Sequence, residues 1–438
     1  MRMNPEFHRN VWLELTPHRM ISMPAVLAAV FFLVYLIAGD NYPNPLRITA
    51  MTIFFLLTLL WGSRLAGEAL VNEVQDKTWD QQRMSSIPPW SMSWGKLFGS
   101  TVFTWYGAVI CLLVYIIAAF QSGEQEVVKT MLFMVFVSVF GQSIALLSSL
   151  QSVKQYHRSA STAFMVAGIL VSFPLISWAF QGIGTMQWYG SDYRPLNFLL
   201  VSVFCFTAWS LLGIHRRIRE ELQFRNTPVY WFLFCVFAAS YLAGLVPARV
   251  LGDEVVTIRL VVAYATFIGL VYVMVITEDK NPVLVRRIIA ALQARNWLSV
   301  FENLPAWLVT LAGVYGLCIA LLVHSSSLIQ FLPRTVEVKP AAVAVALFVT
   351  RDVLLFIFFN MSANRRRADV TAIFYLLLLY WLIPSILTGL NMTSLNAVLL
   401  PMGPHDEMVS IVAGLIQVGL LAYFNVRRWQ RLYIMNKE

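Results

Sequence analysis

The sequence predicts an all-α polytopic membrane protein, and three observations lead to this fold class. Of the 438 residues, 58% are hydrophobic and only 13% are charged, whereas roughly 25% of a soluble domain is charged. The apolar residues form long runs of about 20, which is the length of a membrane-spanning helix. Polar and apolar residues do not alternate within these runs, as they do in the strands of a membrane barrel. The chain is therefore expected to cross a membrane as helices.

The first 20 residues are predicted to form an interfacial amphipathic helix. Asn4-Pro5 is a typical helix start, with proline at the first helical position. Phe7, Val11 and Leu15 then share one face, as expected for a helix lying in the membrane interface. No cleavable signal peptide is expected, because charged residues occur throughout and no small-residue cleavage site follows.

Twelve runs are predicted to be spans. They are placed at 21–38, 48–63, 101–120, 130–150, 162–180, 196–213, 229–246, 257–277, 306–323, 341–359, 371–389 and 408–426. With both termini cytosolic, 24 of the 32 lysine and arginine residues fall on the cytosolic side and 7 on the other. This bias predicts a multi-pass protein of the cytoplasmic membrane. The net charge of +9 is then explained by membrane lipids as partners, and nucleic acid is not expected.

The spans divide into two six-span transmembrane halves, 21–225 and 226–438. Each half has two spans, a long cytosolic loop (64–100 and 278–305), and then four more spans. Short sequences also recur in order, such as Ser86-Ile-Pro-Pro-Trp90 and Asn303-Leu-Pro-Ala-Trp307. These matches indicate an internal repeat with parallel halves.

The first cytosolic loop, 64–100, is unusually polar. Residues 70–83 are predicted to form a short polar helix, because their composition suits a helix and Pro88-Pro89 must end it. Gly95 and Gly99 then let the next segment start close to a neighbouring helix. Such an element is suited to transmit movement between a soluble partner and the spans. An ordinary solvated loop is the alternative.

The loop resembles the coupling-helix loop of ABC transporter permeases of the type-2 exporter (ABC-2-type) family. The residues that carry the resemblance occur in the family's order: Glu73, Thr78, Pro88, Pro89, Gly95 and Lys96. The N-terminal amphipathic helix is similar to that family's interfacial helix, so the resemblance covers about residues 1–120. Lys77 stands where the family usually has glycine, and the second loop, 278–305, is basic instead.

The resemblance implies a permease subunit driven by a separate cytosolic ABC ATPase, expected in two copies. Because family members usually pair two six-span chains, twelve spans imply that both halves are fused here. The residues expected to dock the ATPase are Glu73, Asp76, Thr78, Trp79, Asp80 and Arg83. Further accessory subunits, and docking by loop 278–305, are left open.

The chain itself is not expected to be an enzyme. It has no G-x-x-x-x-G-K-[ST] run for nucleotide phosphates, so ATP and Mg²⁺ would bind the partner. The six histidines show no metal-ligand spacing, and the four cysteines lie singly within spans as packing residues. No metal, cofactor or disulfide is therefore expected in this chain.

Arg351-Asp352 lies in the middle of a predicted span, where an unpaired charge is costly. Gln142 falls at the corresponding place in the first half. Adjacent helical residues point about 100° apart, so Arg351 and Asp352 are expected to bond to neighbouring spans and not to each other. A substrate pathway and a clamp between helices both remain open for these three residues.

The loops before the last span of each half, 181–194 and 391–407, are long enough to dip back into the membrane as short helices. In the resembled family this position forms an outer gate, and simple capping loops are the alternative.

Two other function classes remain open. An ion- or proton-coupled carrier would need embedded titratable groups, of which Asp352 is the one deep acid. A membrane enzyme acting on lipid-linked substrates would need a reactive cluster, for which His405-Asp406-Glu407 is the candidate. The substrate is not indicated.

Overall fold

The chain is an all-α polytopic membrane protein that divides into two compact units. The first comprises Met1–Met186 and Asp192–Asn226, and the second comprises Gln187–Ser191 and Thr227–Glu438. In its described part the chain has ten helices that are long and apolar enough to cross a membrane. The computed structural model describes residues 4–155, 184–224, 226–247, 254–278, 280, 282–324, 328–331, 334–361, 368–401 and 407–435.

The first unit contains nine helices within its described residues. They are α1 (Pro5–Glu14), α2 (Pro17–Ala38), α3 (Pro43–Phe55), α4 (Ser63–Gln75), α5 (Trp79–Arg83), α6 (Pro89–Ser100), α7 (Val102–Gln121), α8 (Val127–Gln155) and α9 (Pro195–Glu221). A π-helix, Leu56–Gly62, joins α3 and α4 into one continuous helix. Strands β1 (Met186–Trp188) and β2 (Ser191–Tyr193) form a small hairpin before α9, and Gln187–Ser191 of this hairpin are assigned to the second unit.

The starts of these helices follow from local sequence. Proline occupies the first position of α1, α2, α3, α6 and α9, where its missing N–H is not needed for helical hydrogen bonding. Asn4 caps α1, because its side-chain Oδ1 accepts hydrogen bonds from the Glu6 N–H at 3.1 Å and the Phe7 N–H at 3.5 Å. The predicted helix start at Asn4-Pro5 is therefore present.

The helices of the second unit run from Val229 to Met435. They are α10 (Val229–Gly244), α11 (Val255–Thr277), α12 (Pro282–Gln293), α13 (Trp297–Asn303), α14 (Ala306–His324), α15 (Val338–Asn360), α16 (Ala368–Leu377), α17 (Ile383–Gly389), α18 (Asn396–Leu399) and α19 (Glu407–Met435). A π-helix, Leu378–Leu382, connects α16 to α17. Between α14 and α15, strands β3 (Leu328–Phe331) and β4 (Arg334–Glu337) pair antiparallel, with Leu328 opposite Glu337.

Each unit has its own apolar core. In the first unit, α4, α6, α8 and α9 enclose Leu70, Leu97, Leu146 and Ile214. In the second, α10, α11, α14 and α15 enclose a cluster that includes Val271, Val314 and Phe356. Many large apolar side chains on the outer surfaces of the spans stay exposed, as expected for helices whose solvent is lipid.

Eleven of the twelve predicted spans coincide with helices, and the interval 162–180 lies outside the described residues. Helix α10 is the shortest of the eleven, with 16 residues. The second span is longer than predicted, because the helix that begins at Pro43 continues to Gln75.

That extension corrects the prediction of a separate polar helix over 70–83. Residues up to Gln75 belong to α4, and α5 covers only Trp79–Arg83. The polar residues of α4 stay helical because one side of this helix is buried at Ala66 and Leu70. The second predicted amphipathic helix, near residues 281–292, is present as α12.

Candidate functional site

The turn after α4 sets the geometry of the predicted docking loop. The Thr78 N–H donates to the Glu73 carbonyl at 2.9 Å, and the Asp76 N–H donates to the Asn72 carbonyl at 2.8 Å. Lys77 adopts a left-handed conformation with φ of 59°, which is the position where helices favour glycine. Glycine, which the resembled family usually has here, adopts this left-handed conformation without strain. Lys77 adopts the same conformation at a cost in backbone strain.

Behind this turn lies an ionic group around a buried lysine, here termed the Lys96 cluster and formed by Glu6, Arg9, Glu73, Gln82 and Lys96, of which Arg9 is exposed. The Lys96 side chain is only 2% exposed and forms ion pairs with Glu73 and, at 3.4 Å, with Glu6. Its Nζ also donates to Gln82 Oε1 at 2.7 Å. Arg9 Nη2 donates to Glu73 Oε1 at 2.7 Å and to Glu6 Oε1 at 3.0 Å.

The Lys96 cluster joins four elements of the first unit. Glu6 and Arg9 belong to α1, Glu73 to α4, Gln82 to α5 and Lys96 to α6. A buried ammonium is tolerated only when it is paired and hydrogen-bonded, so these elements must keep their relative positions for Lys96 to remain satisfied. The Lys96 ammonium also lies 4.8 Å from the centre of the Trp79 ring, which adds a cation–π contact.

Two glycines allow α1 to approach α6 closely. A Cβ atom at Gly95 would lie 2.6 Å from the Glu6 Cβ, and one at Gly99 would lie 2.7 Å from Asn10 Nδ2. The neighbour that Gly95 and Gly99 admit is therefore α1. The Asn4 side chain adds a hydrogen bond from Nδ2 to the Ser91 carbonyl at 2.5 Å.

The six predicted docking residues differ in their exposure. Glu73 and Trp79 face inward, with Trp79 only 3% exposed. Arg83 is half-buried and its Nε donates to the Glu221 carbonyl at 3.0 Å. Asp76, Thr78 and Asp80 are exposed.

The exposed side of the loop also includes Met84, which the sequence analysis did not single out. Its side chain is 81% exposed. Asp76, Asp80 and Met84 are here termed the tip surface. The signal that could have identified Met84 is its place one residue past the end of α5, opposite the buried Trp79 and Gln82.

Arg351 and Asp352 pair directly, contrary to the sequence prediction. Arg351 Nε donates to Asp352 Oδ1 at 2.9 Å, and its Nη2 lies 2.8 Å from the same oxygen. The prediction considered the directions of the Cα–Cβ bonds alone. The long arginine side chain can fold back to its neighbour, and burial of both side chains favours that pairing.

Neighbouring helices complete this second group, the Arg351 cluster, which also includes Tyr272, Tyr380 and Gln417. Both tyrosine hydroxyls donate to Asp352 Oδ2 at 2.7 Å. Arg351 Nη1 donates to Gln417 Oε1 at 3.0 Å. The cluster thus links α11, α15, the π-helix 378–382 and α19, which are the contacts expected of a clamp between helices.

Gln142 makes comparable contacts inside the first unit. Its Nε2 donates to the Thr58 carbonyl at 3.1 Å, and its Oε1 accepts from Trp105 Nε1 at 3.0 Å. Gln142 is fully buried, so both ends of its amide are used between α7, α8 and the π-helix 56–62. The structure places Gln142 in one unit and Arg351 and Asp352 in the other.

The two outer loops differ. In the first, the described residues 184–194 form the β1–β2 hairpin and not the expected short helices. In the second, a 3₁₀ turn, Thr393–Leu395, and α18 are short helices, and their dipping back into the membrane stays a prediction. Of the cluster His405-Asp406-Glu407, the first two residues lie outside the described residues, and Glu407 accepts the Glu337 N–H at 3.3 Å.

Among the described residues, no group of three or more His, Cys, Asp or Glu side chains could hold a metal ion.

The chain was compared with family models, curated proteins and solved structures, and no match was found in any of them.

Proposed function

We propose that this chain is the membrane-spanning subunit of an exporter whose energy comes from a separate ABC ATPase. The ATPase would bind the tip surface on the cytosolic side of the cytoplasmic membrane, and ATP with Mg²⁺ would bind the partner. The observation that carries the proposal is that the tip surface is exposed on one side and fixed to four helical elements on the other.

A docking site that transmits force must be rigid on its membrane side. The Lys96 cluster provides that rigidity, because displacement of α5 would separate Gln82 and Trp79 from the buried Lys96. Helix α4 is continuous with the second span from Pro43. A push on the tip surface would therefore act on that span directly.

The tip surface also has a defined chemistry for a partner. Asp76 and Asp80 are exposed acids in a chain of net charge +9, and Met84 adds an apolar contact. An ATPase surface that fits would be basic around an apolar depression. Methionine is common at such adaptable contacts.

The ion-coupled carrier is less well supported. Asp352 is paired with Arg351 and two tyrosine hydroxyls, so a transported proton would first have to break that group.

Co-purification tests the proposal. The tagged chain is isolated from its native membranes, and Mg-ATP hydrolysis is measured in the eluted fraction. We expect the wild type to retain an ATPase, and the double variant Asp76→Lys/Asp80→Lys to lose at least about 80% of the activity, because it reverses both charges of the tip surface.

Asp40→Lys is the matched control, since Asp40 is also an exposed acid and is predicted to lie on the opposite side of the membrane. It should retain full activity. Wild-type protein that elutes without ATPase activity, or a double variant that elutes with all of it, would contradict the proposal.

A further inference from the structure

The second unit contains an apolar groove with a volume of about 950 Å³ between α10, α11 and α14. This size is at the upper end of the range for small-molecule sites, roughly 300–1,000 Å³. Its lining on α10 extends from Val229 to Ala243, a distance of about 21 Å along a helix. The groove is therefore long enough to hold an extended hydrocarbon chain.

One charged side chain, Arg259, lines the groove. Its guanidinium carbon lies 4.7 Å from the centre of the Tyr189 ring. The Nε and Nη2 atoms of Arg259 are buried, and neither has a hydrogen-bond acceptor among the described residues. Buried arginine N–H groups without an acceptor are costly, so an acceptor from outside the chain would fill a chemical need.

The position of Arg259 along its helix indicates which acceptor the membrane offers. Helix α11 begins at Val255, so Arg259 lies about 6 Å from the helix start. The helix has 23 residues, about 35 Å, which exceeds the hydrocarbon thickness of about 30 Å. With the helix centred in the bilayer, the Cα of Arg259 lies about 3–4 Å inside the hydrocarbon boundary, a distance that the long arginine side chain can span to reach the headgroups. The rest of the groove then lies at the depth of the acyl chains.

We propose that this groove binds a glycerophospholipid from the surrounding bilayer, with its phosphate on Arg259 and an acyl chain along α10 and α14. The fork of guanidinium N–H groups matches phosphate oxygens. The apolar lining, with Phe267 and Leu317 toward the middle, matches the chain. This site does not depend on the proposed transport function.

Photolabelling of the full chain in lipid nanodiscs tests the site. The probe is phosphatidylglycerol with a diazirine in one acyl chain, and labelled peptides are identified by mass spectrometry. We expect labelling of α14 around Gly316, reduced at least fivefold by Arg259→Gln and less by Arg259→Lys, which keeps the charge. Arg194→Gln is the control, because Arg194 is exposed and does not line the groove.

A second variant tests the acyl-chain part without altering charge. Gly316 lines the groove and has no atom within 4 Å of the position of an added Cβ, so Gly316→Leu directs a side chain into the groove from a position where the Cβ itself is accommodated. It should reduce labelling at least fivefold. Gly269 has equally open space but does not line the groove, so Gly269→Leu should leave labelling unchanged.

Competition distinguishes the source of the phosphate. Unlabelled phosphatidylglycerol should compete, whereas diacylglycerol with the same chains and glycerol phosphate without chains should not. Competition by diacylglycerol at equal potency would overturn the role of Arg259, and competition by glycerol phosphate would overturn the bilayer as the source. Equal labelling of wild type, Arg259→Gln and Gly316→Leu would overturn the site as a whole.

Discussion

At the scale of single residues, the backbone conformation of Lys77 in the predicted docking loop explains why the resembled family has a different residue there. Lys77 departs from the sequence of the resembled family, which usually has glycine there. The structure gives Lys77 a φ of 59°, so the position retains the backbone conformation for which glycine is favoured.

The strain at this residue leads to a stability prediction. Lys77→Gly should stabilise the chain by about 0.5–1 kcal/mol, because relief of the left-handed conformation outweighs the added freedom of the unfolded chain. The measurement is the midpoint of thermal unfolding in detergent, followed by tryptophan fluorescence.

Lys77→Ala is the matched control, since it removes the same side chain but keeps a Cβ atom. Its midpoint should stay close to that of the wild type. If alanine stabilises as much as glycine, the charge of Lys77 and not its backbone is responsible.

Residue identity was enough to place Glu73, Trp79 and Lys96 in one polar segment, but not to assign their partners. Glu73 pairs with Arg9 and Lys96 pairs with Glu6, and both of these partners lie more than 60 residues earlier than Glu73. One sequence carries no signal for such a pairing. The Arg351–Asp352 pair was missed for a different reason, because arginine has enough rotatable bonds to reverse the direction set by its Cα–Cβ bond.

At the scale of elements, α1 is held to the first unit through its polar side. Glu6 is 3% exposed, whereas Trp12 on the same helix is 78% exposed. The helix therefore binds α6 by charge and hydrogen bonds and leaves apolar residues outward, where the proposed interfacial position would place them in lipid.

Close packing at Gly99 predicts how α1 can be released. Gly99→Leu should push α1 away from α6, because even the Cβ atom would lie 2.7 Å from Asn10 Nδ2. Overpacking that costs about 1–3 kcal/mol raises the population in which α1 is detached from α6 by about fivefold or more. Trypsin cleavage after Arg9 should accelerate accordingly, as measured by mass spectrometry of the released N-terminus.

Gly419→Leu serves as the control, because an added Cβ at Gly419 meets no atom within 4 Å. Cleavage after Arg9 should keep its wild-type rate in this variant. An unchanged rate in Gly99→Leu would show that Gly99 does not hold α1 in place.

Element boundaries were predicted best where lipid thickness determines them. The intervals 101–120 and 306–323 lie within a few residues of α7 and α14, since apolar length and membrane thickness agree there. The end of α4 was missed because its last turns are polar on one side and buried on the other, and the hairpin β1–β2 had too few residues for a strand pattern.

At the scale of the whole molecule, each unit contains a buried polar group that ties its helices together. Near the middle of a span, Gln142 does this in the first unit with neutral hydrogen bonds, and the Arg351 cluster does it in the second unit with charges. The sequence predicted that Gln142 and Arg351-Asp352 lie at corresponding positions in the two halves, each within a span. Their partners were not predictable, because they come from helices far apart in sequence.

The Arg351 cluster predicts strong non-additivity. Arg351→Gln and Asp352→Asn alone should each destabilise the chain by about 3–5 kcal/mol, because each leaves one buried charge unpaired. The destabilisation of the double variant Arg351→Gln/Asp352→Asn should be smaller than the sum of the two single destabilisations, and the difference should be about 1–3 kcal/mol. Thermal unfolding midpoints of all three variants provide the measurement.

Arg47→Gln is a control for the loss of an ion pair as such. Arg47 pairs with Glu124, and both side chains are partly exposed. Loss of this ion pair should therefore lower the free energy of unfolding by less than about 1 kcal/mol. Single variants at 351 and 352 that unfold like the wild type would argue against a clamp.

The π-helix 56–62 has a consequence for the helix that leads to the docking loop. Buried residues recur there at every fourth position: Ala50, Phe54, Thr58, Gly62, Ala66 and Leu70. In a regular α-helix, steps of four residues drift by about 40° each around the axis. The wider π turns offset part of this rotation, so the six buried residues stay on one side of the continuous helix. Shortening the stretch by a single amino acid would swing Glu73 about 100° out of phase, away from the lysine that holds it.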